Sequence, residues 1–156
     1  RDLLKSQGLD IVLKDVDGRH RVDTRYPWGE ALPSSTLLAD RIVMATRAPY
    51  VSDLFSSPED GRLRIAITVP VIRDGAVTAL LSARLDPGAL AHALFGDDVR
   101  RPYFASIADR TGRILARSSE TDRFAGRLLT GFAQSLDDRG TWQGVNPDGL
   151  PVHGAY

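Results

Sequence analysis

The densest group of side chains able to do chemistry lies in the segment DRIVMATRAPYVSDLF, where Arg41, Arg47, Tyr50, Ser52 and Asp53 offer donors and acceptors within a short stretch. A guanidinium such as Arg47 can hold a carboxylate through two parallel hydrogen bonds, with Tyr50 and Ser52 completing the set. Thr68, on the polar side of the strand that follows, is the sixth candidate. Such a group recognises a small molecule and has no means of transforming it. The competing reading is an Arg–Asp pair that merely fixes a helix-to-strand corner.

Catalytic alternatives fail on residue supply. The three histidines, His20, His92 and His153, have no second histidine three or four positions away, so metalloprotease spacing is absent. His92 lies in an Ala-rich helix and His20 in an exposed strand setting beside Arg19 and Arg21. No Gly-x-Ser-x-Gly elbow, P-loop or Gly-x-Gly-x-x-Gly occurs. Asp15-Val16-Asp17-Gly18 opens like a calcium loop, but Thr24 stands where the closing Glu belongs, so tight-turn chemistry explains it. No cysteine is present, which excludes disulfide frameworks and thiol nucleophiles. No catalytic residue, metal site or cofactor is expected.

The 20 basic and 20 acidic residues cancel, and no basic block forms a nucleic-acid footprint. Apart from Lys5 and Lys14 every basic residue is Arg. With 42% hydrophobic residues the 156-residue chain can bury a real core, yet no stretch approaches the ~20 apolar residues of a membrane span. The opening RDLLKSQGLD lacks the pattern of a signal peptide and reads as a cut from a longer protein.

The elements that must position the candidate residues follow from local grammar. The phrase Asp-x-x-Gly-Arg between two apolar strands occurs at Asp15 and again at Asp109, 94 residues on, and each copy reads as a hairpin. Arg1 to Gly8 suits the end of a helix. TRYPWGEALPSS is a loop packed through Tyr26 and Trp28; Ser34 or Ser35 caps a helix to about Arg47, with Leu38, Ile42 and Ala45 as its buried stripe. Tyr50 to Phe55 is a short strand. In RLRIAITVPVI, Leu63, Ile65, Ile67, Val69 and Val71 alternate with Arg64, Ala66, Thr68 and Pro70, and Arg73-Asp74-Gly75 turns into AVTALLSARL. Asp86, Pro87 and Gly96 mark the start and stop of a further helix. From Tyr103 the pattern restarts, with a helix expected over Asp122 to Leu136 and a final hairpin turned by Asn-Pro-Asp-Gly; a closing strand is expected past Tyr156.

In order and wording, IVLKDVDGR, PWGEALP, RAPYVSDLF, RLRIAITVPVIRDGAVTALLSARLDPGAL and FASIADRTGRILARS with FAGRLL resemble the double Cache type of extracytoplasmic sensor domain. The resemblance implies an α+β fold of two PAS-like modules, each an antiparallel sheet with flanking helices. It implies a membrane-distal module at 9–96 holding the ligand and a smaller membrane-proximal one at 103–156. The long N-terminal helix of the family would be mostly absent. It also implies the periplasmic input domain of a bacterial two-component histidine kinase, which is itself no enzyme, binds a small molecule and not nucleic acid, and is tethered to the inner membrane by flanking helices as a homodimer. The alternative is an interaction or dimerisation spacer of a chemoreceptor or diguanylate cyclase. The Tyr, Arg and Trp-Tyr pattern of amino-acid-binding members is not found around Arg41 to Tyr50.

Overall fold

Strand β1, Leu9–Asp15, is turned back by Asp17-Gly18 into β2, His20–Asp23, with Val12 opposite Asp23 and Leu13 opposite Val22. Gly18 takes φ 82°, and a Cβ there would stand 2.6 Å from Thr36 Oγ1, so the turn demands glycine twice over. The computed structural model describes residues 8–96, 104–129 and 139–155, in two units, Arg1–Ala89 and Leu90–Tyr156.

In the first unit helix α1, Leu38–Thr46, is followed by the two-residue strands β3, Tyr50–Val51, and β4, Phe55–Ser56. Then come the long strands β5, Leu63–Arg73, and β6, Ala76–Leu85. All pairings are antiparallel, in the order β2-β1-β6-β5-β3, with β4 also on β5. Asp74 and Gly75 both have positive φ, the type I′ geometry that suits a two-residue hairpin. Helix α2, Pro87–Phe95, starts after Asp86, whose Oδ1 accepts from Ala89 N at 2.7 Å, and stops at Gly96, φ 53°. The start and stop read from sequence are the ones observed.

The alternation of β5 is as expected, but the polar side is the more deeply buried one, with Ile65 buried on the apolar side. Arg64, Ala66 and Thr68 on β5, Ser82 and Arg84 on β6, and Val12 and Lys14 on β1 are all buried. Ile67 and Leu81, on the opposite side, are exposed. The helix is rotated to match. Ala39, Asp40 and Val43 are buried while Leu38 is exposed, because Asp40 must face inward to meet Lys14. The expected stripe of Leu38, Ile42 and Ala45 is therefore displaced by one position.

Nor do serines cap α1. Asp40, in the first turn, reaches back to accept from Leu37 N at 2.6 Å, while Ser34 bonds Gly18 O and Ser35 bonds His20. Trp28, expected to pack, is 98% exposed; it follows Pro27 in a turn that carries the ring outward. His20, expected to be exposed, is buried between Asp23 and Ser35.

In the second unit β7, Ser106–Ala108, pairs β8, Ile114–Arg117, and β9, Thr141–Val145, pairs β10, Pro151–Ala155. Between them lies the four-residue helix α3, Thr121–Phe124. The helix expected over Asp122 to Leu136 is thus not formed over its described part. Gly126 at φ 82° breaks the chain, and Leu128 bridges Arg113 as in an extended segment; the remainder lies outside the described residues, as do 1–7 and the helix expected there. The two Asp-x-x-Gly-Arg turns share one hydrogen-bond scheme. Asp15 Oδ1 accepts from Asp17 N and Arg19 N, and Asp109 Oδ1 from Thr111 N and Arg113 N. Asn146 repeats it a third time, its Oδ1 accepting from Asp148 N at 2.9 Å and Leu150 N at 2.8 Å.

Candidate ligand-binding site

Where α1 begins, the β3–β4 segment crosses in front of it and leaves a cavity of about 350 Å³. Tyr50, Ser52 and Asp53 line it together with Leu37, Ala39 and Phe55. The first three were expected from sequence. They converge because Tyr50 pairs with Thr68 on β5, and because Ser52 is fixed against the same strand, donating N to Ala66 O and accepting Ala66 N at its Oγ, both at 2.9 Å.

The other expected residues do not join them. Thr68 is fully buried beneath Tyr50, but its hydroxyl is bound to Ser82 Oγ at 2.9 Å. Arg41 is exposed on α1 and does not line the cavity. Arg47 takes the left-handed conformation that ends α1, φ 56°, and its guanidinium donates to Gly75 O at 3.3 Å. Asp53 is the one charged side chain among the described lining residues, so the carboxylate clamp expected from Arg47 is not what this geometry offers.

What sequence reasoning missed is the charged layer under the cavity. Lys14, fully buried, donates to Asp40 Oδ2 at 2.5 Å. Arg84, 1% exposed, donates to Glu59 Oε1 at 2.9 Å and to Ser35 Oγ at 3.4 Å. Glu59 also accepts from Ser57 Oγ at 2.7 Å and Arg25 at 3.3 Å, and Arg25 continues to Asp23 at 2.6 Å, which holds His20 at 2.9 Å. The chain of contacts thus runs from the loop beside the cavity, where Ser56 and Pro58 are wall residues flanking Ser57, to the β1–β2 hairpin. The signal available was that Lys14 and Arg84 stand on strand positions in phase with Val12 and Ser82, although nothing local says which phase is buried.

Burial opposes ionisation of Glu59, but the hydrogen bonds from Ser57, Arg84 and Arg25 outweigh it and hold the carboxyl down to about 2. Asp23 is likewise lowered against burial by His20 and Arg25. Burial lowers Lys14, and Asp40 opposes this. A carboxyl lowered in the folded state stabilises above its unfolded pKa and loses that contribution as pH falls. For Glu59 the window runs from 4.5 down to about 2. Urea titrations should therefore show wild type losing ~3 kcal/mol more than Glu59→Gln across that window. Equal slopes for the two proteins would remove Glu59 from the account. Asp10, raised by burial against the pull of Arg64, contributes with the opposite sign.

Among the described residues no group of three or more His, Cys, Asp or Glu is placed to hold a metal ion, and no helix is long and apolar enough to cross a membrane. No family model matches the sequence, and no curated protein matches it. Solved structures do. The extracellular domain of the histidine-kinase candidate rpHK1S-Z16 aligns over 97% of this chain and 66% of its own, with 16% identity and a TM-score of 0.67. The ligand-binding domain of the Pseudomonas aeruginosa PAO1 amino acid chemoreceptor PctC, solved with GABA, aligns over 92% of this chain and 64% of its own, with 15% identity and a TM-score of 0.59. The Vibrio cholerae histidine kinase DctB sensor domain aligns over 88% and 60%, with 13% identity and a TM-score of 0.55. The chain spans somewhat less than two thirds of each. These three are extracellular, ligand-binding or sensor domains of receptors. The α+β antiparallel architecture reported above is theirs: the chain has the fold of the Cache-type extracellular sensor domains.

Proposed function

We propose that this chain is the periplasmic input domain of a bacterial sensor histidine kinase, and that it binds a small molecule in the cavity of the first unit. In this reading residues 9–96 form the membrane-distal, ligand-holding module and 103–156 the membrane-proximal one. The observation that carries it is the cavity itself, with Tyr50, Ser52 and Asp53 converging on about 350 Å³ in a fold shared with sensor domains. The signal is a shift between two receptor states, limited in size by the ligand's preference for one of them.

The lining indicates the ligand's chemistry. A carboxylate at Asp53 with apolar walls at Leu37, Leu54 and Phe55 suits a molecule presenting an ammonium or hydroxyl donor on an apolar body. The GABA held by the chemoreceptor neighbour also carries an ammonium group. Arg41 and Arg47 then act at the surface, outside first contact with the ligand.

A thermal-shift series of small amines, polyols and carboxylates tests this. A ligand at 100 times its Kd stabilises by about 2.7 kcal/mol. The expected result is a shift from one amine or polyol series that is lost in Asp53→Asn. No shift from any class sinks the sensing reading; a shift unchanged in Asp53→Asn moves the site elsewhere.

A further inference from the structure

We propose that the second unit accepts an extended β-strand of polypeptide, seated between β7 and β10 as β6 is seated between β1 and β5. The internal repeat carries this, because its 94-residue offset holds bond for bond. In the first unit Ile11 N donates to Thr24 Oγ1 at 2.9 Å and Thr24 N to Ile11 O at 3.0 Å. In the second Ala105 N donates to Ser118 Oγ at 3.0 Å and Ser118 N to Ala105 O at 2.9 Å. The bridge between Arg19 and Ser34 recurs between Arg113 and Leu128. Ser35 N donates to Gly18 O, and Leu129 N to Gly112 O, each at 2.9 Å. Val12 and Lys14 of β1 therefore correspond to Ser106 and Ala108 of β7.

In an antiparallel ribbon alternate residues turn their N–H and C=O toward the partner strand, and the rest turn them away. Ala105 and Asp109 bond across to the β8 side, to Ser118 and Arg113. Arg117 and Ile114, which stand opposite Ser106 and Ala108, bond elsewhere: Arg117 N donates to Thr121 Oγ1 and Ile114 N to Arg127 O. Ser106 and Ala108 thus present their backbone groups on the other edge of β7. On that edge of β1, Val12 and Lys14 meet Ser82 and Leu80 of β6. Among the described residues no strand pairs with β7 there.

The same count applied to β10 gives a second such edge. Asn146 N bonds Leu150 O, so Val152 and Gly154 face β9, and His153 and Ala155 turn their backbone groups away from it. Ser106, Ala108, His153 and Ala155 all line one cavity of about 540 Å³. Two unpaired edges on one cavity offer main-chain hydrogen bonds to both sides of an added strand. Ile114, which is buried, and Trp142 line the same cavity, so the inward phase of the occupant is apolar. Within this chain β6 is already bonded on both sides, by β1 and β5, and a second copy cannot lend it. The occupant is therefore a separate peptide segment with apolar residues at alternate positions.

The test uses a capped peptide of alternating Val and Thr on ¹⁵N-labelled protein, with its counterpart carrying Pro in place of Thr as the control. The peptide should slow solvent exchange of the Ser106, Ala108, His153 and Ala155 amides about tenfold and move the Trp142 indole signal. Val12, Lys14 and the exposed Trp28 of the first unit should stay in place. Ala108→Pro removes an N–H that faces the cavity and leaves the bonds to β8, a substitution that edge strands tolerate, and it should abolish the protection at Ser106. If the wild-type amides gain no protection at millimolar peptide, or gain it equally from the Pro counterpart, the acceptor site is refuted whether or not the variant folds. Undiminished binding by a folded Ala108→Pro also refutes it. Protection that rises with protein concentration alone, with a doubled mass in sedimentation, overturns the peptide in favour of a second copy. Because the site shares no residue with the cavity of the first unit, none of these outcomes bears on the sensing reading.

Discussion

Replacing Asp40 by Asn should cost the first unit about 3–5 kcal/mol, the penalty for removing one partner of a buried ion pair. Lys14 is fully buried and its ammonium is bound by Asp40 at 2.5 Å. Asparagine keeps an oxygen for Leu37 N, so the helix start survives and the loss isolates the charge. Burial already lowers the Lys14 pKa, and Asp40 is the main interaction that opposes this. Adding Lys14→Met should then recover most of the loss, since two apolar or neutral groups replace a pair whose desolvation was costly. Amide exchange in β1 and β6 reads this unit alone. Additive effects of the two substitutions would show that the pair is not coupled.

The second large effect is in the other unit. Phe124 is fully buried, and three guanidiniums, those of Arg117, Arg123 and Arg127, lie over its ring at 4.0, 4.8 and 5.6 Å. Phe124→Ala should cost about 3–5 kcal/mol from lost burial and the cavity left behind, before any cation–π loss. A unit built of two short ribbons has little to offset that. Hydrogen exchange should show protection lost over Ile114–Arg117 while Leu80 and Ser82 keep theirs. Loss of protection in both units together would mean that they unfold as one.

Much of the fold was legible because its grammar is local. Gly18, Asp74-Gly75 and the Asp86, Pro87 and Gly96 signals each require only a few residues of context, and the structure uses them as read. That Tyr50, Ser52 and Asp53 share one cavity wall was legible because a helix end followed by a short strand brings them to one edge. Facing was not legible. A strand with Ile on one phase and Arg, Ala and Thr on the other argues for an apolar core, and here the polar phase is inside because partners from distant segments neutralise it: Asp40 for Lys14, Glu59 for Arg84. His20 was misplaced for the same reason, since Ser35 and Asp23 had to be in position first. Arg47 was misread because its role depends on a left-handed backbone at the end of α1. The third copy of the turn was hidden by Asn146 standing where the other two have Asp.

The burial of Lys14 has a practical side. It is one of two lysines in a chain otherwise supplied with arginine, and solvent does not reach it while the first unit is closed. An amine-directed reagent can modify it only during an opening that also separates it from Asp40. Its acylation rate, followed by peptide mass, therefore serves as a clock for how often that unit breathes, with no engineered label, and a molecule that clamps the cavity beside α1 would slow the clock.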